Sequence, residues 1–196
     1  MAENKQKQPY IMFAVIFILG FVCGVGFTVY KLGAGPGQQT VAANQQTNNE
    51  TDQMAAAITN LEAAVTAKPD DYQSWVQLGH LYYDTGQAEK AITAYTTSLK
   101  YHPGDANLLT DLGVMYRQAK QPDKAIEMFK KAQALDATHQ ASRFNEGIVR
   151  FYDLKDTKGA IASWEELLTI NPDATAGNGQ KIKDIVDQIK SGQLKN

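Results

Sequence analysis

The stretch AITAYTTSLKYHP (residues 91–103) is written four times in this chain: it returns as AITNLEAAVTAKP at 57–69, as AIEMFKKAQALDA at 125–137 and as AIASWEELLTINP at 160–172. The leading alanines Ala57, Ala91, Ala125 and Ala160 stand 34, 34 and 35 residues apart. Four residues on, each copy carries a bulky side chain, Leu61, Tyr95, Phe129 or Trp164; seven on come Ala64, Ser98, Ala132 and Leu167. That spacing is one face of a helix. Pro69, Pro103 and Pro172 end it, because proline has no N–H to continue the ladder.

The preceding half of the unit repeats as well. Trp75, Leu78, Gly79 and Tyr82 in one copy correspond to Leu109, Leu112, Gly113 and Tyr116 in the next. The third copy keeps Gly147, has Arg143 where a large apolar residue is expected, and has an extra residue between Gly147 and Ala160. Two antiparallel helices approach closely only where small residues meet, which accounts for Gly79 and Gly113 on the first helix and Ala91 and Ala125 on the second. Each hairpin is left with an apolar stripe that only a neighbouring hairpin can bury.

These rows resemble the tetratricopeptide repeat family over residues 54–172. The resemblance implies an all-α solenoid of helical hairpins, about three and a half repeats long. Around it the expected order is a cytoplasmic N-terminus (1–10), one transmembrane helix (11–30), a flexible linker (31–53), the repeats, and a capping helix with its tail (173–196).

Ile11 to Tyr30 reads IMFAVIFILGFVCGVGFTVY without a charge. At ~1.5 Å per residue such a helix spans ~30 Å, one hydrocarbon core. Lys5 and Lys7 precede it, and Lys31 alone follows closely, so the positive-inside bias keeps the N-terminus in the cytoplasm and puts the repeats outside. A cleaved signal peptide is the rival, but the apolar run exceeds a usual signal core and Pro36 suits cleavage poorly. Cys23, the chain's one cysteine, lies inside the span as an apolar side chain, since Phe21 and Val22 before it do not suit a lipoprotein signal. Gly20 and Gly24 make a small-xxx-small step that could seat a second copy as a homodimer.

Gly33 to Gln53, GAGPGQQTVAANQQTNNETDQ, has almost no bulky apolar residue and is expected to be a tether. From Met54 a helix begins with Ile58, Leu61, Ala64 and Val65 on its buried face, a second-type helix without its partner. Asp70 and Asp71 suit the N-terminus of the next helix, and Pro122 a first turn. Near the end Ile182, Ile185, Val186 and Ile189 form one apolar stripe opposite Lys181, Lys183, Asp184, Asp187 and Lys190, the pattern of a terminal cap.

No catalytic constellation stands out. His80, His102 and His139 lack the paired spacing of a metal site, so no metal and no cofactor is expected. There is no phosphate-binding glycine loop and no haem-attachment motif, and Glu165-Glu166 reads as a solvated helix face. Without Lys5, Lys7, Lys31 and Glu3 the chain keeps 16 basic and 20 acidic residues, a balance that argues against a nucleic-acid partner.

What remains is a binding surface. In the family the first helix of each hairpin lines a concave groove, so the resemblance points to Gln73, Val76, His80 and Tyr83, to Asn107, Thr110, Val114 and Arg117, and to Phe144 and Ile148. The implied ligand is a protein or peptide, with Arg117 setting register on a carboxylate or carbonyl. The family's clamp for a C-terminal carboxylate needs Lys, Asn and Arg where this chain has Val76, His80, Asp111, Ala141 and Asn145. A different ligand is therefore expected.

The run GAIASWEELLTINP, with Trp164, Leu167, Leu168 and Pro172, is also similar to the closing repeat of membrane-anchored repeat subunits in bacterial cytochrome c maturation. This implies an alternative role, holding an apocytochrome. Either way the implied place is a bacterial inner (cytoplasmic) membrane, single-pass, with the repeats on the periplasmic side.

Overall fold

Each of the four copies of the 13-residue stretch falls on a helix in the computed structural model, which describes residues 36–195. The described helices are α1 (Pro36–Ala67), α2 (Tyr72–Asp84), α3 (Ala88–Tyr101), α4 (Ala106–Gln118), α5 (Pro122–Leu135), α6 (Gln140–Ile148), α7 (Thr157–Ile170) and α8 (Ile182–Lys190). Thus α2/α3, α4/α5 and α6/α7 are three hairpins, α1 precedes them and α8 follows. The proposed transmembrane segment, with Gly20, Cys23 and Gly24, lies outside the described residues. Among the described residues no helix is long and apolar enough to cross a membrane.

The small-residue rule is met at all three crossings. A Cβ on Gly79 would fall on the Tyr95 ring, one on Gly113 on the Phe129 ring, and one on Gly147 on the Trp164 indole. The glycine of the first helix therefore receives the ring four residues after the alanine of the second. Tyr95, Phe129 and Trp164 are correspondingly almost wholly buried, and the alanines Ala91, Ala125 and Ala160 with them. The position seven on faces the first helix of its own hairpin: the Ser98 hydroxyl donates to the Tyr72 carbonyl at 3.0 Å.

Two expectations for α1 need correction. The helix does not begin at Met54 after a tether but runs from Pro36, and the compact unit that holds the repeats starts at Met54. Scarcity of apolar residues removes a core but not a helix, since alanine, glutamine and glutamate all favour one and Pro36 suits a first turn. Ala64 is exposed, unlike Ser98, Ala132 and Leu167. The helix this position packs against in the other copies has no counterpart before α1 among the described residues. Ile58 and Leu61 are half-buried and Val65 buried on the other side, and the Tyr82 hydroxyl bonds to Glu62 across to α1. Burial and Glu62 together push the Tyr82 hydroxyl up to about 12.

The extra residue of the third copy has a structural home. In the first two hairpins the turn is closed by Gln87 N–H to the Tyr82 carbonyl (2.7 Å) and Gln121 N–H to Tyr116 (2.8 Å), each five residues back. In the third, Asp156 N–H reaches six back to Arg150 (2.8 Å), and α6 ends in a π-helical turn at Val149–Asp153. The wider turn absorbs one residue without moving the crossing at Gly147. The turn then passes through the same left-handed residue in every hairpin, Gly86, Lys120 and Lys155 (φ 70°, 60° and 57°).

Arg143 replaces the large apolar side chain with its stem. It is 12% exposed, donates to the His139 carbonyl (3.2 Å) and lies 3.7 Å from Glu166. At the far end, Ile182, Val186 and Ile189 are buried in one cluster with Trp164, Leu167 and Phe151, and the charged face of α8 is exposed. A short hairpin delivers α8 to that cluster: Ala176 N–H bonds to the Gln180 carbonyl, Ile182 N–H to Ala174, and Gly179 turns between them at φ 81°.

Candidate functional site

The first helices α2, α4 and α6 start at equivalent caps. The Asp71 carboxylate takes the Ser74 hydroxyl (2.8 Å), and Asp105 takes the Leu108 N–H (2.9 Å). The third copy has His139 in this place, its Nδ1 accepting from Ser142 N–H at 3.3 Å. An Nδ1 that accepts leaves the proton on Nε2, and Nε2 is 3.0 Å from the Asn107 side-chain oxygen. His139 is thus a helix cap that also ties α6 to α4.

Two more links of the same kind run between successive first helices. His80 Nε2 is 3.5 Å from the Asp111 carboxylate, joining α2 to α4. The Arg117 guanidinium bonds to Asp153, joining α4 to the π-helical turn. Three of the residues expected to meet a partner, His80, Asn107 and Arg117, are therefore engaged in spacing the hairpins. Arg117, expected to set register on a ligand's carboxylate or carbonyl, donates its Nε–H to Asp153 in this structure.

Other expected groove residues separate. Thr110 is buried and its hydroxyl donates to the Ala106 carbonyl (2.8 Å), the ordinary way for a threonine inside a helix to satisfy itself. Val76 and Val114 pack partly into the first core cluster, Ile148 and Phe144 into the cluster around Trp164. Phe144 also lines a separate cavity with Gln140, Leu167, Asn171 and Ala174 at the α8 end of the stack. Gln73 is exposed on the first turn of α2.

His80 and Tyr83 do come together. With Asp84, Tyr95 and Asp111 they line a cup of about 420 Å³ where α2, α3 and α4 meet. Tyr83 is an exposed wall, 37% accessible. Tyr95 is the floor: its ring passes beneath Gly79, stands edge-on to the His80 imidazole at 5.6 Å between centroids, and its buried hydroxyl has no hydrogen-bond partner. Burial, then Asp111, Tyr83 and Asp84, push the Tyr95 hydroxyl well up from its ordinary value. Burial also raises the Asp111 carboxyl, against the opposing pull of His80. Both groups hold their protons harder than in water, chiefly because burial disfavours their charged forms.

Sequence reasoning gave Tyr95 to packing alone and used Asp111 only to exclude the carboxylate clamp. A signal was present: at Tyr95 the other copies have Leu61, Phe129 and Trp164, none with a hydroxyl, although the crossing needs only a ring. Trp164 spends its polar group on the Phe144 carbonyl (3.2 Å). Tyr95 keeps its own for the cup.

Residues 70–138 match the tetratricopeptide repeat family. No curated protein matches the chain. Among solved structures, a crystal structure of MamA protein aligns over 76% of this chain and 84% of that one, with a TM-score of 0.61 and 19% identity. A MamA fragment from Desulfovibrio magneticus RS-1 aligns over 65% and 72%, with a TM-score of 0.58 and 19% identity. The first repeat domain of Spaghetti (RPAP3), solved with the HSP90 peptide SRMEEVD, aligns over 62% and 92%, with a TM-score of 0.54 and 20% identity. At these identities the likeness is one of fold.

Proposed function

For a chain whose residues 70–138 are tetratricopeptide repeats and whose third hairpin keeps their geometry, we propose a non-catalytic scaffold or adaptor that holds a protein or peptide partner against the face of α2, α4 and α6. Residues 11–30 anchor it in a bacterial cytoplasmic membrane with the repeats outside. The observation that carries the binding role is the cup: an exposed tyrosine beside a recess lined by Tyr95, whose buried hydroxyl has no described partner, on the face where Asn107, His139 and Arg117 are engaged in fixing hairpin spacing. A rigid surface with an unfilled recess takes a side chain from a ligand at little ordering cost.

Crosslinking in intact membranes followed by purification of the full chain recovers the partner. The same procedure with Tyr83→Ala should recover it at roughly a fifth to a hundredth of the level, an anchor loss of ~1–3 kcal/mol. Equal recovery would move the site off this face. Phe144→Ala is a poorer probe than the sequence suggested, because that ring also supports the core around Trp164. Apocytochrome or haem-lyase components among the recovered proteins would assign the scaffold to cytochrome c maturation; envelope or secretion proteins would assign it a general adaptor role.

Topology has its own test. A reporter active only outside the cytoplasm, fused after Asn196, should be active in intact cells, because Lys5 and Lys7 precede the apolar span and Lys31 alone follows it closely. Activity of a cytoplasm-only reporter at the same position would reverse the orientation.

A further inference from the structure

The lining of the cup brings two acidic residues together with a polar atom that no described group satisfies. Tyr95 is wholly buried, yet its hydroxyl, at the floor, neither donates to nor accepts from any described group. A buried hydroxyl left in this way is destabilising, and a chain that needed only a ring at this crossing would avoid it with phenylalanine, as the next copy does at Phe129. Two carboxylates, Asp84 and Asp111, share the lining with it. The half-exposed His80 imidazole is in the same lining, its Nε2 3.5 Å from the Asp111 carboxylate.

We propose that this cup is a subsite for a basic side chain, the ammonium of a lysine or the guanidinium of an arginine, carried by the peptide that lies on the first-helix face. The inference rests on the scaffold reading above and specifies the chemistry of one ligand position. The cation's N–H groups reach the Tyr95 hydroxyl oxygen and the carboxylates of Asp84 and Asp111, and the exposed Tyr83 ring flanks the stem. Both cations are acceptor-free donors, which is what a hydroxyl oxygen among carboxylates requires. At Tyr95 the neighbouring carboxylates add to burial in raising the hydroxyl's proton affinity, and a bound cation offsets that added part. The polarity is the reverse of the carboxylate clamp that Val76, His80, Asp111, Ala141 and Asn145 do not build.

The test is affinity selection of a displayed library of twelve-residue peptides on the full chain in detergent. Parallel selections use Asp111→Asn and Tyr95→Phe; both variants keep the size of the side chain and, for Tyr95, the ring over Gly79. The expected result is a lysine or arginine fixed at one peptide position. Replacing that residue with methionine should weaken binding at least about tenfold in the parent chain. In either variant the methionine and basic peptides should bind within about twofold of each other. Selected peptides that depend on Tyr83 but show no basic preference would overturn the cation subsite and leave the scaffold reading standing. Equal discrimination in Asp111→Asn and Tyr95→Phe would overturn it too, since the preference would then come from elsewhere. Failure to select any peptide would count against both. Helicity and melting of each variant, recorded alongside, should match the parent or, for Asp111→Asn, rise slightly, as expected when a carboxylate that burial opposes is replaced by an amide.

Discussion

Gly113→Leu should abolish cooperative unfolding of the repeat stack, whereas Gly104→Ala should leave it unchanged. At Gly113 even a single added carbon would fall on the Phe129 ring, which is itself wholly buried between α4 and α5 with no room to swing aside. A leucine there must part the two helices, a cost of about 3 kcal/mol or more where overpacking meets a buried aromatic. Stability in a repeat array is a sum of hairpins and the joints between them, so parting the middle hairpin also removes the joints on both sides. At Gly104, in the turn before α4, an added carbon meets nothing within 4 Å, which makes it a control for glycine replacement as such. Circular dichroism against denaturant separates the cases: a retained sharp transition in Gly113→Leu would mean the crossing is looser than the structure has it.

Removing Gly177 onward should be the second most damaging change. Ile182, Val186 and Ile189 are nearly inaccessible, and the surface they cover belongs to Trp164, Leu167 and Phe151 of the last hairpin. Burial of three such side chains is worth roughly 1.5–3 kcal/mol each before the entropy of ordering α8 is subtracted. A net loss of about 3 kcal/mol is a melting temperature lower by roughly 10 °C, with aggregation from the uncovered end. The sharper comparison is Ile185→Ala, whose half-buried side chain sits at the stripe's edge and should cost about half as much or less. A truncated chain that melts with the parent would mean that α8 adds nothing to the stack.

The repeat was legible because its determinants are local. Glycine on one helix and a ring four residues after an alanine on the next are visible as spacing, and all three crossings follow it. What spacing could not convey was which neighbour a residue would meet. Ala64 keeps the sequence of a buried position but lacks the preceding helix, so it is exposed. Arg117 looked available until the π-helical turn, itself the product of one inserted residue, brought Asp153 against it. His139 looked like an isolated histidine and is the cap that aspartate supplies in the two earlier copies. The helix from Pro36 was missed for another reason: composition without apolar residues was read as flexibility, and composition does not forbid helix. Of the residues expected in the groove, His80 and Tyr83 share one cup, and the part Tyr95 plays in its lining was not anticipated, because Tyr95 sits at a position where every copy has a core residue.

These particulars separate residues that hold the stack together from the few that are left over for a partner, and that separation is the central claim. It is tested most directly by measuring, on one preparation of Tyr83→Ala, both the affinity for the partner recovered from membranes and the unfolding midpoint. Tyr83 is exposed and belongs to no core cluster, so the midpoint should stay within about 0.5 kcal/mol of the parent while affinity falls roughly five- to a hundredfold. Unchanged affinity in a protein that melts like the parent would contradict the account.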